Sequence, residues 1–237
     1  MNNEAEMLAW AYLSRVVEVP CAELSALVQG VGPVEAAERI RRGQVDDTLA
    51  QRTEARRDID CAAEDLEILK SRGGRLVTRD DDEWPGLAFA SFNGAPVRDK
   101  QQGRAPLVLW AIGPLRLDEI SERAAAIVGT RASTAYGEHV AADLSAGLVE
   151  HEVAIVSGGA YGIDGAAHRA ALAADGMTVA VLAGESTSSI RPVIPPCCTA
   201  LPEPGCWSVS THPVCGRRGT ASSPAIDWWP HCRGRPW

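Results

Sequence analysis

The chain lacks any uncharged apolar run near the roughly 20 residues that span a bilayer, so no membrane partner is expected. It also lacks a secretory opening. Met1-Asn2-Asn3-Glu4 is polar and acidic, which points to a cytoplasmic protein. Excess positive charge is missing too. The formal net charge of -8 over 237 residues weighs against a nucleic-acid binder, since phosphate contacts need Lys and Arg. A local basic groove can still work on an acidic protein. Seven cysteines, an odd number without a leader, argue against a disulfide framework. Hydrophobic residues at 46% nevertheless provide for a real core.

Residues 4 to about 73 read as helices. Leu8, Ala11, Tyr12 and Leu13 recur at helical spacing, and Val16 and Val17 continue the stripe. Pro20 and Gly30-Val31-Gly32-Pro33 interrupt it, predicting short helices joined by tight turns. Such Gly turns sometimes bind DNA backbones; the more ordinary reading is a packing module. From Asp46 to Arg72 the Glu and Arg runs predict one charge-rich helix with a solvated face.

From residue 75 to about 184 short apolar runs alternate with helical patterns. Leu107 to Ala111, Ala124 to Val128, Val153 to Val156 and Thr178 to Leu182 predict strands buried on both faces. Gly137 to Glu150 and Ile163 to Ala174 predict the helices between them. The alternation implies an α/β fold: a partial doubly wound parallel, Rossmann-like sheet preceded by a small helical domain. The expected division is 1–74 for the helical module, 75–185 for an incomplete Rossmann-like domain, and 186–237 for an aberrant, disordered tail. That tail holds nine of the fifteen prolines, five of the seven cysteines and four of the seven tryptophans. No period of two or 3.6 is visible in it, and proline recurs too often for a helix or a central strand.

Two loops carry the candidate chemistry. The first holds Gly129, Thr130, Arg131 and Ser133, then Tyr136 and Gly137 at a helix start. The second holds Ser157, Gly158, Gly159, Tyr161 and Gly162, also opening a helix. In a doubly wound sheet, ligands sit beyond the carboxyl ends of strands, where such loops meet helix N-termini. Glycine lets backbone amides approach a phosphate, and the helix end adds unpaired N–H groups and partial positive charge. Arg131 could contribute a bidentate phosphate contact, with Thr130 and Ser157 donating hydroxyls. No catalytic residue and no cofactor are expected. Asp164 and His168, four apart, read as a structural hydrogen bond at the helix start in preference to an acid/base pair. The tail's cysteines, with His212 and His231, lack zinc-knuckle spacing, so no metal is expected.

Ile127-Val128-Gly129-Thr130-Arg131 with Tyr136-Gly137 resembles the Val-Gly-Ser-Arg and Tyr-Gly segments of the DprA/Smf family of DNA-processing proteins. Ser157-Gly158-Gly159-Ala160-Tyr161-Gly162-Ile163-Asp164 with Ala167-His168 resembles that family's Ser-Gly-x-Ala-x-Gly-Ile-Asp-x-x-Ala-His signature, and Asp82-Glu83-Trp84-Pro85 its lead-in to the sheet. The resemblance covers residues 5 to 184. It implies single-stranded DNA binding, a role in natural transformation, and loading of a RecA-type recombinase, without a chemical reaction. Tyr161 stands where many relatives carry a basic residue, so one DNA contact of the family is not expected there; a stacking role and a capping or packing role are both open to it.

Beyond Gly184 the resemblance stops. Grouping the coding bases one nucleotide earlier from Ser186, with free choice of synonymous codons, spells a string similar to the family's continuation, including its Ser-Glu-x-Pro-Pro-Gly and Arg-Asn-Arg segments. A frameshift near Gly184 is therefore expected, with impaired activity. Each buried Val or Leu left uncovered would forfeit roughly 1.5–3 kcal/mol, against a total stability of about 5–15 kcal/mol. The family's dimer and recombinase contacts lie largely in the missing part, so a homodimer is not expected. Two alternatives stand beside this reading. One is a phosphoribohydrolase-like enzyme on the same kind of fold, whose Pro-Gly-Gly-x-Gly-Thr-x-x-Glu motif is absent here; the other is an inactive gene remnant.

Overall fold

The computed structural model describes residues 4–17, 21–90 and 104–182, and the backbone of the strand at 206–210. The helical module comprises α1 (Glu4–Val16), α2 (Ala22–Arg41), α3 (Asp47–Thr53) and α4 (Ala62–Ser71). The remainder runs β1 (Gly74–Thr78), α5 (Gly86–Phe89), β2 (Val108–Ile112), α6 (Leu117–Glu122), β3 (Ala124–Ala126), α7 (Ala135–Glu150), β4 (Ala154–Gly158), α8 (Ile163–Ala173), β5 (Thr178–Leu182) and β6 (Cys206–Ser210).

In the helical module the expected break falls inside α2, at Gly32, with φ 81° and ψ 166°. A positive φ favours glycine, and the following Pro33 suits the first turn of the renewed helix because it has no N–H to leave unpaired. The single charge-rich helix expected from Asp46 to Arg72 is instead two helices. Asp46 caps α3 by accepting from the Leu49 N–H at 3.0 Å, and Thr53 to Ile59 closes a series of turns before α4. Its face is not wholly solvated either. Asp65 is buried and takes a forked ion pair from Arg15, with Arg15 Nε at 2.8 Å and Nη2 at 2.6 Å. Charge runs on paper do not reveal a carboxylate whose partner lies fifty residues away.

Trp10, Tyr12, Leu13, Leu24 and Ile40 form the centre of the module, and the same cluster continues through Leu76, Val108 and Trp110 of the sheet. The Trp110 indole N–H donates to the Ser14 hydroxyl at 3.3 Å, so the buried ring is also satisfied. On the other sheet face Val77, Leu109 and Ala111 pack with Leu117, Ile120, Ala154 and Val179. Arg75 clasps the Glu83 carboxylate and donates to the carbonyls of Gly113 (2.6 Å) and Leu115 (2.7 Å). Glu83 in turn accepts from the Leu117 N–H at 3.0 Å, which gives the Asp82-Glu83-Trp84-Pro85 segment a structural task at the start of α6.

The sheet has six strands in the order β1-β2-β6-β5-β4-β3. β3, β4, β5 and β6 are parallel, whereas β2 runs antiparallel to both β6 and β1. The parallel half follows the expected alternation, with β5 spanning Thr178–Leu182 as read. Two expectations need correction. The Leu107 to Ala111 run is a strand of the opposite direction, because an apolar run records burial and not polarity of the chain. The Ala124 to Val128 run gives only three strand residues on the sheet edge, with Ala124 and Ala126 exposed. There it has one neighbouring strand, and no cover on both faces.

The tail expected at 186–237 lies outside the described residues except for β6. That segment, Cys206-Trp207-Ser208-Val209-Ser210, alternates at period two and pairs in register with β5 and β2, so strand structure enters a stretch read as irregular. Its alternation is five residues long and hidden among prolines and cysteines. The tail's zinc candidates other than Cys206 also lie outside the described residues. Among the described residues, no helix is long and apolar enough to cross a membrane, and no group of three or more His, Cys, Asp or Glu could hold a metal ion.

Candidate functional site

The two glycine loops leave adjacent parallel strands, β3 and β4, and their residues meet. The Ile163 N–H, at the start of α8, donates to the Thr130 carbonyl at 3.3 Å. Gly162, with φ 83°, packs so closely against the first loop that a methyl group there would lie 2.4 Å from the Thr130 carbonyl oxygen and 2.7 Å from that of Arg131. Only glycine suits that position, on grounds of both backbone angle and space. A methyl on Gly129 would fall 2.5 Å from Ile163 Cγ1. Ile163 is therefore a wedge between the loops, and the glycines are needed as much for loop-to-loop packing as for any ligand. Its role was not visible in the sequence, because the contact is not local.

The polar groups divide into engaged and open. The Ser157 hydroxyl is buried and donates to the Ile127 carbonyl at 2.5 Å, tying β4 to the exit of β3. Thr130 Oγ1 accepts from the Ala132 N–H at 3.2 Å and shapes the first turn. Ser133 donates to Glu138 Oε1 at 2.6 Å. Thr134 caps α7 by accepting from the Gly137 N–H at 3.1 Å, so that amide is already partnered. The hydroxyls of Ser157 and Ser133 thus donate within the scaffold, and for Ser157 this replaces the phosphate contact expected of it. Thr134 was overlooked, although a threonine just before a helical pattern is a recognisable cap.

Arg131 is exposed and has no hydrogen bond or ion pair among the described residues. The α8 N-terminus carries no side-chain cap at Gly162, and its first N–H, that of Ile163, is taken by the Thr130 carbonyl, so the partial positive charge of the helix end remains without a side-chain partner at Gly162. Tyr136 and Tyr161 are 78% and 66% exposed. Gly159 is half-buried within the second loop. The structure thus brings the two loops into one rim, with Arg131 and both tyrosines open to solvent.

Beneath the second loop lies a fully buried histidine. His168 Nε2 is 2.9 Å from the Gly158 carbonyl and Nδ1 is 2.6 Å from Thr178 Oγ1, while Thr178 Oγ1 is also 2.9 Å from the Ile155 carbonyl. The expected Asp164–His168 bond is not made; α8 turns the imidazole toward β4 and β5 instead. A carbonyl can only accept, so Nε2 carries the proton. Burial pushes the imidazole below its usual pKa, against the opposing pull of the Gly158 carbonyl and Asp164. The single Thr178 hydroxyl proton then faces two acceptors, Nδ1 of the neutral ring and the Ile155 carbonyl, and serves one at a time. A residue with no solvent contact cannot act on a ligand at the rim, so the acid/base reading of this pair fails. Asp164 is buried against Gly158, where a methyl would lie 2.6 Å from Oδ2, and its charge complements the α8 N-terminus.

A family model for DNA recombination-mediator protein A matches residues 75–194, half of the chain. The chain belongs to that family, the DprA/Smf proteins. The match runs past Gly184, where the sequence resemblance was set to end. The DNA processing protein DprA named in Mycobacterium tuberculosis (strain H37Rv) is 73% identical over 176 residues, covering 74% of this chain and 45% of that protein. DprA of Bacillus subtilis (strain 168) is 45% identical over 80 residues, covering 33% of this chain and 26% of that one. This DprA/Smf chain therefore spans less than half the length of those relatives. The X-ray structure of DprA from Streptococcus pneumoniae aligns with a TM-score of 0.56 at 21% identity, covering 90% of this chain and 69% of that one, and shows the shared fold.

Proposed function

We propose that this chain binds single-stranded DNA by its phosphates, at the rim where the β3 and β4 loops join. The observation that carries the reading is the seam itself: the Ile163 N–H on the Thr130 carbonyl fixes two glycine loops together, and Arg131 stands beside them without a partner among the described residues. A guanidinium near a helix start that has no side-chain cap suits an anion, and on a protein of net charge -8 such a local site must act against the global field. Membership in the DprA/Smf family supports a DNA-processing role in the cytoplasm and a binding function in place of catalysis. The family's description as a recombination mediator supports delivery of the bound strand to a RecA-type recombinase. The impairment expected from a frameshift near Gly184 belongs to the same proposal, and implies weaker binding than by the 73% identical relative.

Arg131→Ala tests the site. Removing one phosphate contact is expected to weaken oligonucleotide binding at low salt and to reduce the slope of log affinity against log salt by about one. Fluorescence anisotropy across a salt series reads both quantities. Unchanged binding at low salt would remove Arg131 from the site. Release of free base from a nucleoside monophosphate would instead favour the phosphoribohydrolase-like reading.

A further inference from the structure

Three tyrosines occur in the chain, and they live in two environments. Tyr12 is fully buried, donates its hydroxyl to the Arg57 carbonyl at 2.9 Å and lies under the Arg41 guanidinium, 4.1 Å from its ring centroid. That is how a packing tyrosine is held in this protein. Tyr136 and Tyr161 have none of these features. Neither has a hydrogen-bond partner or a ring contact among the described residues, and both rings are mostly in water. They are the only exposed large aromatic side chains among the described residues. A capping or packing role for Tyr161 is therefore not supported by its surroundings.

Both sit on the seam. Tyr161 immediately precedes Gly162, which presses on the carbonyls of Thr130 and Arg131. Tyr136 immediately precedes Gly137, where an added methyl would meet Ile163 of the other loop at ordinary contact distance. Two rigid rings thus flank a rim whose backbone is fixed by hydrogen bonds and close packing. An exposed aromatic ring leaves apolar area in water, and it is a natural face for another π-system. Unpaired nucleobases offer such faces, whereas in a duplex they are covered by their neighbours.

We propose that Tyr136 and Tyr161 are stacking platforms for unpaired bases, and that they, more than Arg131, confer preference for a single strand over a duplex. This rests on the phosphate-seam reading above and adds a second kind of contact to it. The rings contribute no charge, so their contribution is insensitive to salt.

The test compares a labelled oligothymidylate, an abasic strand of the same length and the corresponding duplex, each by fluorescence anisotropy. Tyr136→Ala and Tyr161→Ala are each expected to weaken oligothymidylate binding on the order of tenfold. Both should leave the abasic strand, the duplex and the salt slope unaltered. Phe at either position should restore binding; Leu, which keeps bulk without an aromatic face, should not. Arg131→Ala should weaken the abasic strand and the oligothymidylate alike. If both Ala variants bind oligothymidylate as tightly as the parent while Arg131→Ala does not, stacking is overturned and the phosphate seam stands. If Arg131→Ala is silent on both strands yet the tyrosine variants weaken binding, the seam reading falls and stacking survives.

Discussion

The helical module and the β3–α7 edge treat apolar side chains in opposite ways. In the module, Leu13, Leu24 and Ile40 are fully buried, and one cluster carries them into the sheet through Trp110. At the edge, Val128 is 76% exposed and Leu144 is 57% exposed, and α7 buries only Ala141 and Ser145. The loops of the candidate site belong to this second region. One region closes its apolar surface to gain stability, and the other leaves it open to solvent. Stability and binding should accordingly respond to different substitutions.

The largest expected effect lies in the module. Leu13→Ala removes a fully buried side chain and should cost about 2–5 kcal/mol in urea unfolding. Binding measured well below the midpoint should then be unaltered. A smaller cost is expected at the seam. Gly162→Ala places a methyl against two carbonyls at a positive φ, which should cost about 1–3 kcal/mol and also weaken single-strand binding. A variant that melts and binds like the parent would show that the two loops are not mutually constrained.

Acidity gives a third comparison. The unfolded chain protonates His168 near its ordinary value of about 6.5, whereas burial holds the folded imidazole neutral to lower pH. The unfolded state then binds more protons, so this contribution is fully present above that value and is lost as pH falls below it. The melting temperature should drop between pH of about 7.5 and 5.5, and His168→Gln should flatten the drop. An equal slope in the variant would place the sensitivity elsewhere. The smallest effect belongs to the open edge: Leu144→Ala should change stability by no more than about 0.5 kcal/mol in the same urea assay. A cost comparable to that of Leu13 would break the contrast between the regions.

Much of the parallel half was legible from sequence because its signals are local. Apolar runs bounded by glycine gave β4 and β5 to within a residue or two, and α7 and α8 followed from their spacing. The two loops were legible as a pair for the same reason. What escaped was set by partners distant in the chain. The direction of β2 depends on β1 and β6, and the burial of Asp65 depends on Arg15. The hydroxyl of Ser157 looked available until the Ile127 carbonyl was placed beside it. Similarly, Asp164 and His168 share a helix face, but the imidazole is claimed by residues from two strands. A four-residue spacing reports proximity along one helix and nothing about competing acceptors.

The position of β6 has a mechanical consequence. Among the described residues, every ladder hydrogen bond that joins the antiparallel pair β1–β2 to the parallel trio β3–β5 runs through those five residues. Cys206–Ser210 is the keystone of the sheet: take it out and two separate ribbons remain, coupled only by side chains and by the connecting chain. Whether the molecule comes apart in one step or in two therefore hangs on this one strand.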